Sequence, residues 1–252
     1  MMGELASAYK SGCQSARIVT ETWGAANFYC PNCSSPKLDW LKTGYKVHDY
    51  RCPSCGFFFQ LKSQRAPIRN SVPDGAYRPM IEAIRKDKTP NFYFMQYNLE
   101  TWSVKNLLLV PHFAFPPSAI IKRNPTTPKG RSQPWVGCSI ALNRIPSEAR
   151  ISIVTESKAI SPSEVREQFK RVKPIGEIKG VERGWLLEVL NVVNRLGKAE
   201  FSNQEVYAFA SELKQLHPQN DNINAKIRQK LQELRDRNLL LHVGRNCWRL
   251  PD

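Results

Sequence analysis

The chain reads as a mixed α/β domain, a mixed sheet flanked by helices, followed by a small module of three helices and a hairpin. Three observations carry that reading. Strand-forming runs at Phe57–Lys62, Phe92–Tyr97 and Val104–Val110 alternate with helical segments in the first part of the chain. Two Cys-x-x-Cys turns sit among those segments. The last part switches to apolar spacing of three and four residues and ends in a turn-punctuated pair of strands. A length of 252 residues suits two domains of this kind, which we divide at 1–180 and 181–252.

Taken in order, a first helix is expected from about Glu4 to Thr20, with Ala6, Tyr9, Cys13 and Ala16 on one face. The cysteine segment follows and runs into the strand Phe57–Lys62. Pro73-Asp74-Gly75 reads as a turn before a helix through Met80, Ile84 and Lys86. Two strands come next, ended by Pro111, Pro116 and Pro117. Lys122–Pro134 is a loop rich in Pro, Thr, Gly, Lys and Arg. Strands resume at Val136–Leu142 and Ile151–Thr155, a helix covers Ser163–Arg171, and Lys173–Gly180 is a linker.

In the C-terminal module, Trp185, Leu186, Val189, Leu190 and Val193 make one amphipathic helix, ended by Gly197. Phe201-Ser202-Asn203 reads as a short strand and helix cap. A second helix uses Val206, Phe209, Ala210 and Leu213, and a third uses Ile223, Ile227, Leu231 and Leu234. Leu239–Val243, a turn at Gly244-Arg245-Asn246 and Cys247–Leu250 form the hairpin. This is the outline of a winged helix.

Charge narrows the partners. The formal net charge is +15 and the pI about 9.7, which favours a polyanion: nucleic acid first, an acidic membrane surface second. Residues 181–252 carry a net +2 and the remainder +13, so the first domain holds most of the field. Residues 101–147 lack Asp and Glu altogether but include Lys105, Lys122, Arg123, Lys129, Arg131 and Arg144. No apolar run approaches the roughly 20 residues of a membrane span. The N-terminus lacks a charged-then-apolar signal pattern, which points to the cytoplasm.

Cys30 and Cys33 form one knuckle, Cys52 and Cys55 the other, with eighteen residues between. Each turn presents two thiolates to one point, and two turns supply the four soft ligands of tetrahedral zinc. Four cysteines leave no open position for water, so the zinc is structural. His48 is a competing ligand, or a neighbour of Asp49 on the hairpin surface. The remaining cysteines, Cys13, Cys138 and Cys247, read as small buried apolar residues.

Asp49 lies three residues before the second knuckle, and Gln60-Leu61-Lys62 begins five residues after it. Gln60 and Lys62 are two apart on the expected strand, so they share a face. A carboxylate and another oxygen ligand can hold Mg²⁺ for phosphodiester hydrolysis, and a nearby lysine can orient water and neutralise developing charge. Alone, this D-x10-Q-x-K pattern also fits an ordinary amphipathic strand.

A resemblance adds to it. Ala16-Arg17-Ile18-Val19-Thr20-Glu21, Cys30-Pro31-Asn32-Cys33 and the second knuckle with Gln60-Leu61-Lys62-Ser63 resemble the DpnI-like methyl-directed (type IIM) restriction endonucleases. So do Asp74-Gly75-Ala76-Tyr77, Asn91-Phe92-Tyr93-Phe94, Trp135-Val136-Gly137-Cys138 and Arg183-Gly184-Trp185. Ile227-Arg228-Gln229 and Leu234-Arg235-Asp236 extend the likeness through the third helix. The resemblance implies a PD-(D/E)XK nuclease domain with an embedded zinc site and a winged helix. It implies a monomer that cuts double-stranded G-m6A-T-C only when its adenine is methylated. Asp49 matches the family's metal-binding aspartate and Lys62 its catalytic lysine. Gln60 departs from the family's glutamate, and an amide oxygen brings no charge to Mg²⁺.

The same resemblance makes Trp135 the methyl-sensing residue; a core aromatic is the alternative. Lys129 and Arg131 before it suit phosphate or guanine. On the third helix, Asn222, Asn224, Lys226, Arg228 and Gln229 are candidates for the major groove, and Arg245 on the wing for the backbone. Two rival readings remain: a non-catalytic reader of methylated DNA, and a zinc-ribbon winged-helix regulator indifferent to methylation.

Overall fold

The structure, a computed structural model, describes residues 11–41, 48–127 and 134–251. In chain order the first elements are α1 (Gly12–Asn27), β1 (Asp39–Trp40), β2 (Tyr50–Arg51), β3 (Phe58–Gln64), β4 (Ser71–Ala76), α2 (Tyr77–Arg85), β5 (Asn91–Tyr97) and β6 (Val104–Val110). Then come β7 (Ile120–Lys122), β8 (Gly137–Ala141), β9 (Ile151–Thr155), β10 (Lys158–Ala159), α3 (Pro162–Val172) and α4 (Gly180–Arg195). The chain ends with β11 (Glu200–Ser202), α5 (Asn203–Tyr207), α6 (Ala210–Leu216), α7 (Ile223–Asp236), β12 (Leu241–Gly244) and β13 (Cys247–Arg249).

These elements form two compact units. The first comprises Met1–Asn70, Thr89–His112 and Arg150–Lys170; the second comprises Ser71–Lys88, Phe113–Ala149 and Arg171–Asp252. Each draws on several stretches of chain, whereas the sequence reading set a single boundary at residue 180.

The first unit is built on a mixed sheet in the order β1-β2-β3-β5-β6-β9-β10. Among the described residues only β3 and β5 run parallel, with Gln60 opposite Phe92 and Lys62 opposite Phe94. Every residue of β5 is buried, as expected for a strand covered on both faces. Phe28, Tyr50, Phe59 and Tyr93 form an aromatic cluster: Phe28 stacks on Tyr93 at 4.1 Å and meets Tyr50 edge-on at 5.1 Å. The Tyr50 hydroxyl donates to the Glu21 carbonyl at 2.8 Å and ties β2 to α1.

The second unit contains an antiparallel sheet, β4-β8-β7, and the winged helix. The wing is the antiparallel sheet β11-β13-β12. Ile227, Leu231 and Leu234 of α7 and the apolar residues of α4 from Trp185 to Val193 make its core. Ser202 caps α5 in a reciprocal pair with Glu205: its hydroxyl accepts the Glu205 N–H, and its own N–H donates to Glu205 at 2.8 Å. Within this unit, α4 is tied to flanking segments. Arg183 pairs with Asp87, and Glu188 accepts from Ser118 Oγ at 2.6 Å and pairs with His217. Asn194 donates to Glu148 at 2.9 Å.

Several local expectations are corrected. The first helix continues past Thr20 to Asn27, and its buried residues are Ser15, Val19, Thr20, Glu21 and Gly24. Cys13 and Ala16 are therefore not its core face; Cys13 is exposed, as is Cys247, while Cys138 is buried. Pro73-Asp74-Gly75 is strand, not turn: β4 is a sheet edge, which tolerates proline, and the register shifts between Asp74 and Ala76. The helix expected through Val206 and Leu213 breaks at Phe209, between α5 and α6.

Candidate metal centre and catalytic strand pair

The two knuckles converge. The sulfurs of Cys30, Cys33, Cys52 and Cys55 all lie within 4.8 Å of one another. Cys30 to Cys55 and Cys33 to Cys52 are each 3.6 Å. A zinc ion at about 2.3 Å from four sulfurs sets them about 3.8 Å apart, so the cage has the size for tetrahedral zinc. The second knuckle is the turn between β2 and β3. Cys52 N–H donates to the Phe57 carbonyl at 2.8 Å, and Gly56 supplies the positive φ of 76° that closes the turn. Burial disfavours the Cys52 thiolate, but hydrogen bonds from the Cys55 and Ser54 N–H groups outweigh it and lower the thiol to about 7. At Cys52 that favours the form a metal binds, whereas burial raises the Cys30 and Cys33 thiols. The cage does not include His48, whose ring stacks on Phe58 at 4.4 Å.

Arg166 on α3 secures the first knuckle. Its guanidinium donates to the carbonyls of Cys30 at 3.1 Å, Cys33 at 2.9 Å and Ser35 at 3.3 Å, and lies over the Tyr29 ring. Nothing in local spacing marks this residue, because its partners are more than 130 positions away.

Asp49 stands at the mouth of β2, beside the same hairpin. Its carboxylate Oδ2 accepts the Leu61 N–H at 2.7 Å. That peptide hydrogen lies between Gln60 and Lys62, so the acid is fixed against the stretch of strand that carries both. Gln60 and Lys62 project from one face of β3, two residues apart, and both are half-buried. Burial raises the Asp49 carboxyl above its ordinary value; the Leu61 N–H, Lys62 and Arg17 act in the opposite direction. Asp49 is thus held against the strand that carries Gln60 and Lys62 on one face, directly after the cysteine turn.

Two further charged residues belong to this neighbourhood. Arg17 donates to Glu21 at 2.6 Å, one turn along α1, and its charge reaches Asp49. Ending the expected helix at Thr20 hid this pair, although its i,i+4 spacing was present in the sequence.

The DNA-directed candidates lie in the second unit. Trp135 is 47% exposed, so it is not a core aromatic. Lys129 and Arg131 lie outside the described residues. On α7, Asn222 stands at the N-cap, and Asn222, Asn224, Arg228 and Gln229 are exposed. Gln229 donates to Glu233 at 2.9 Å. Lys226 is engaged differently: both oxygens of Glu182 take its ammonium at 2.8 Å, and only 16% of its side chain is exposed. Buried Lys230 also pairs with Glu182. Arg245 is exposed at the turn between β12 and β13. Among the described residues, no helix is long and apolar enough to cross a membrane.

Comparison with protein families gives two adjoining matches. Residues 1–178 match the model described as the Dam-replacing family, DpnI, and residues 181–249 match the Dam-replacing HTH domain. The matches meet at the start of α4 and together span nearly the whole chain. A mixed sheet with an embedded four-cysteine cage, followed by a helix-turn-helix module, accordingly places this chain in the Dam-replacing (DpnI) family.

Proposed function

We propose that the protein is a type II (IIM) restriction endonuclease that hydrolyses double-stranded DNA at N6-methyladenine, in the sequence G-m6A-T-C. In this reading residues 1–180 are a PD-(D/E)XK nuclease domain, residues 181–252 a winged helix that binds DNA, and the protein acts as a cytoplasmic monomer. Family membership supports methylation-dependent restriction. The observation that carries the catalytic part is the Asp49 carboxylate held on the Leu61 N–H between Gln60 and Lys62.

Asp49 and Gln60 would hold Mg²⁺, a carboxylate and an amide oxygen suiting a hard cation. Bound there, the ion supplies charge relief to the phosphate and lowers the pKa of a water. Lys62 orients the attacking water and neutralises charge growing on the phosphate oxygens. Arg17 sets a positive field at Asp49 and favours its ionised form. Zinc in the cysteine cage fixes the β2–β3 turn and with it the acid–amide–lysine spacing. Trp135 offers an apolar face to the adenine N6-methyl, which projects into the major groove. Lys129 and Arg131, which precede it in the sequence, suit phosphate or guanine. Asn222, Asn224, Arg228 and Gln229 face the groove from α7, with Lys226 behind them and Arg245 on the backbone.

Gln60 favours one second reading. Without the glutamate's charge, the same chain would serve as a reader of methylated DNA that does not cut. Plasmid from adenine-methylating and non-methylating hosts, incubated with Mg²⁺, separates these. Methyl-dependent cutting is the expected result. A methyl-selective gel shift without cutting supports the reader, and binding blind to methylation rejects both.

A further inference from the structure

Gly137 opens β8, two residues after Trp135, and the indole lies on it. A Cβ built on Gly137 would stand 2.7 Å from both Cη2 and Cζ3 of the Trp135 ring. That is well inside van der Waals contact. Backbone conformation does not require glycine here, because Gly137 is not among the described glycines with positive φ, which are Gly56, Gly180 and Gly197. Space for the ring does.

The main chain around the contact is pinned. Trp135 N–H donates to Thr126 Oγ1 at 3.1 Å, and Thr126 N–H returns to the Trp135 carbonyl at 2.9 Å. Tyr77 N–H donates to the Val136 carbonyl and Arg123 N–H to the Gly137 carbonyl, each at 3.0 Å. A side chain at position 137 therefore meets a fixed backbone and a half-exposed ring. The ring, as the movable partner, must shift.

We propose that Gly137 is a specificity-determining positioning residue: it seats the Trp135 indole in the orientation that meets the adenine methyl group. The inference rests on the methyl-reading role of Trp135 proposed above. Covering one methyl group on an apolar face gives about a fourfold preference, from about 0.8 kcal/mol. A ring already seated on Gly137 also loses less rotamer freedom on binding.

The test uses the full-length protein with Mg²⁺ and duplexes carrying methylated or unmethylated GATC. The readout is the ratio of the two kcat/KM values. The same ratio is read in binding with Ca²⁺ in place of Mg²⁺, so a non-cutting reader is tested equally. Gly137→Ala is expected to lower the ratio by about fourfold or more. Gly75→Ala is the control, since a Cβ there meets nothing within 4 Å. In a double-mutant cycle, Gly137→Ala should have no further effect once Trp135→Ala is present. Loss of the ratio in Trp135→Ala with an unchanged ratio in Gly137→Ala overturns this inference and leaves the Trp135 role standing. An unchanged ratio in Trp135→Ala overturns both. Should Gly137→Ala melt too early to assay, the double variant decides. Recovery to the melting temperature of Trp135→Ala alone supports the seat; no recovery rejects it.

Discussion

The two compact units each set a glycine against an aromatic ring, with different outcomes. In the first unit, a Cβ on Gly24 would meet the Tyr50 hydroxyl and come within 2.6 Å of the Phe28 ring. Both rings are buried and fixed in the aromatic cluster. In the second unit, Gly137 faces a ring that is half in solvent. One close approach packs α1 against Tyr50 of β2 and against Phe28; the other underlies the exposed side chain proposed to touch the ligand. The comparison separates a contact whose partner is buried, which serves the fold, from one whose partner is exposed, which on the reading proposed above serves recognition.

The largest expected effect lies in the first unit. Removing a cage ligand by Cys52→Ser, or stripping metal with a chelator, should unfold the β2–β3 turn and abolish cleavage, since structural zinc contributes folding energy outright. Metal content by atomic absorption and far-UV circular dichroism check this. A chelated protein with unchanged melting would break the claim that this unit depends on its cage.

Asp49→Asn should abolish cleavage yet raise the melting temperature at neutral pH. Burial holds the Asp49 carboxyl above its ordinary value, so the ionised form costs stability above the folded pKa. That cost disappears as pH falls through the raised pKa, and the gap between variant and wild type should close there. A variant melting no higher than wild type at pH 7 would contradict the burial argument.

Gly24→Ala should cost about 1–3 kcal/mol through overpacking, whereas Gly137→Ala should cost far less. Thermal melts of the two side by side test the opening comparison directly. Equal losses would erase the distinction between the units.

Smaller effects concern DNA and metal affinity. Arg228→Ala should lower the salt slope of DNA binding by about 0.9 if it meets a phosphate. Lys226→Ala should change it less, because Glu182 already takes that ammonium. Gln60→Glu should shift the Mg²⁺ titration of cleavage to lower concentration, since a carboxylate adds the charge that the amide lacks. No shift in that titration counts against Gln60 as a metal ligand.

Much of the architecture was legible in the chain itself. The Cys-x-x-Cys turns, the aromatic strands and the apolar period of α7 each follow from backbone repeat, which acts over a few residues. The spacing of Asp49, Gln60 and Lys62 could be read in the same way, because a hairpin turn sets it locally. Other features were decided only by packing between distant segments. Arg166 reaches the first knuckle from α3. Glu182 takes both Lys226 and Lys230 out of the exposed set of α7. The buried face of α1 is chosen by its contacts, including the Thr20–Ser63 hydroxyl pair at 3.0 Å and the Tyr50–Glu21 bond. Trp135 is exposed, although its apolar character alone fitted a core position equally well. Periodicity fixes which residues can share a face; which face is buried, and which charge finds a partner, depends on what the rest of the chain brings against it.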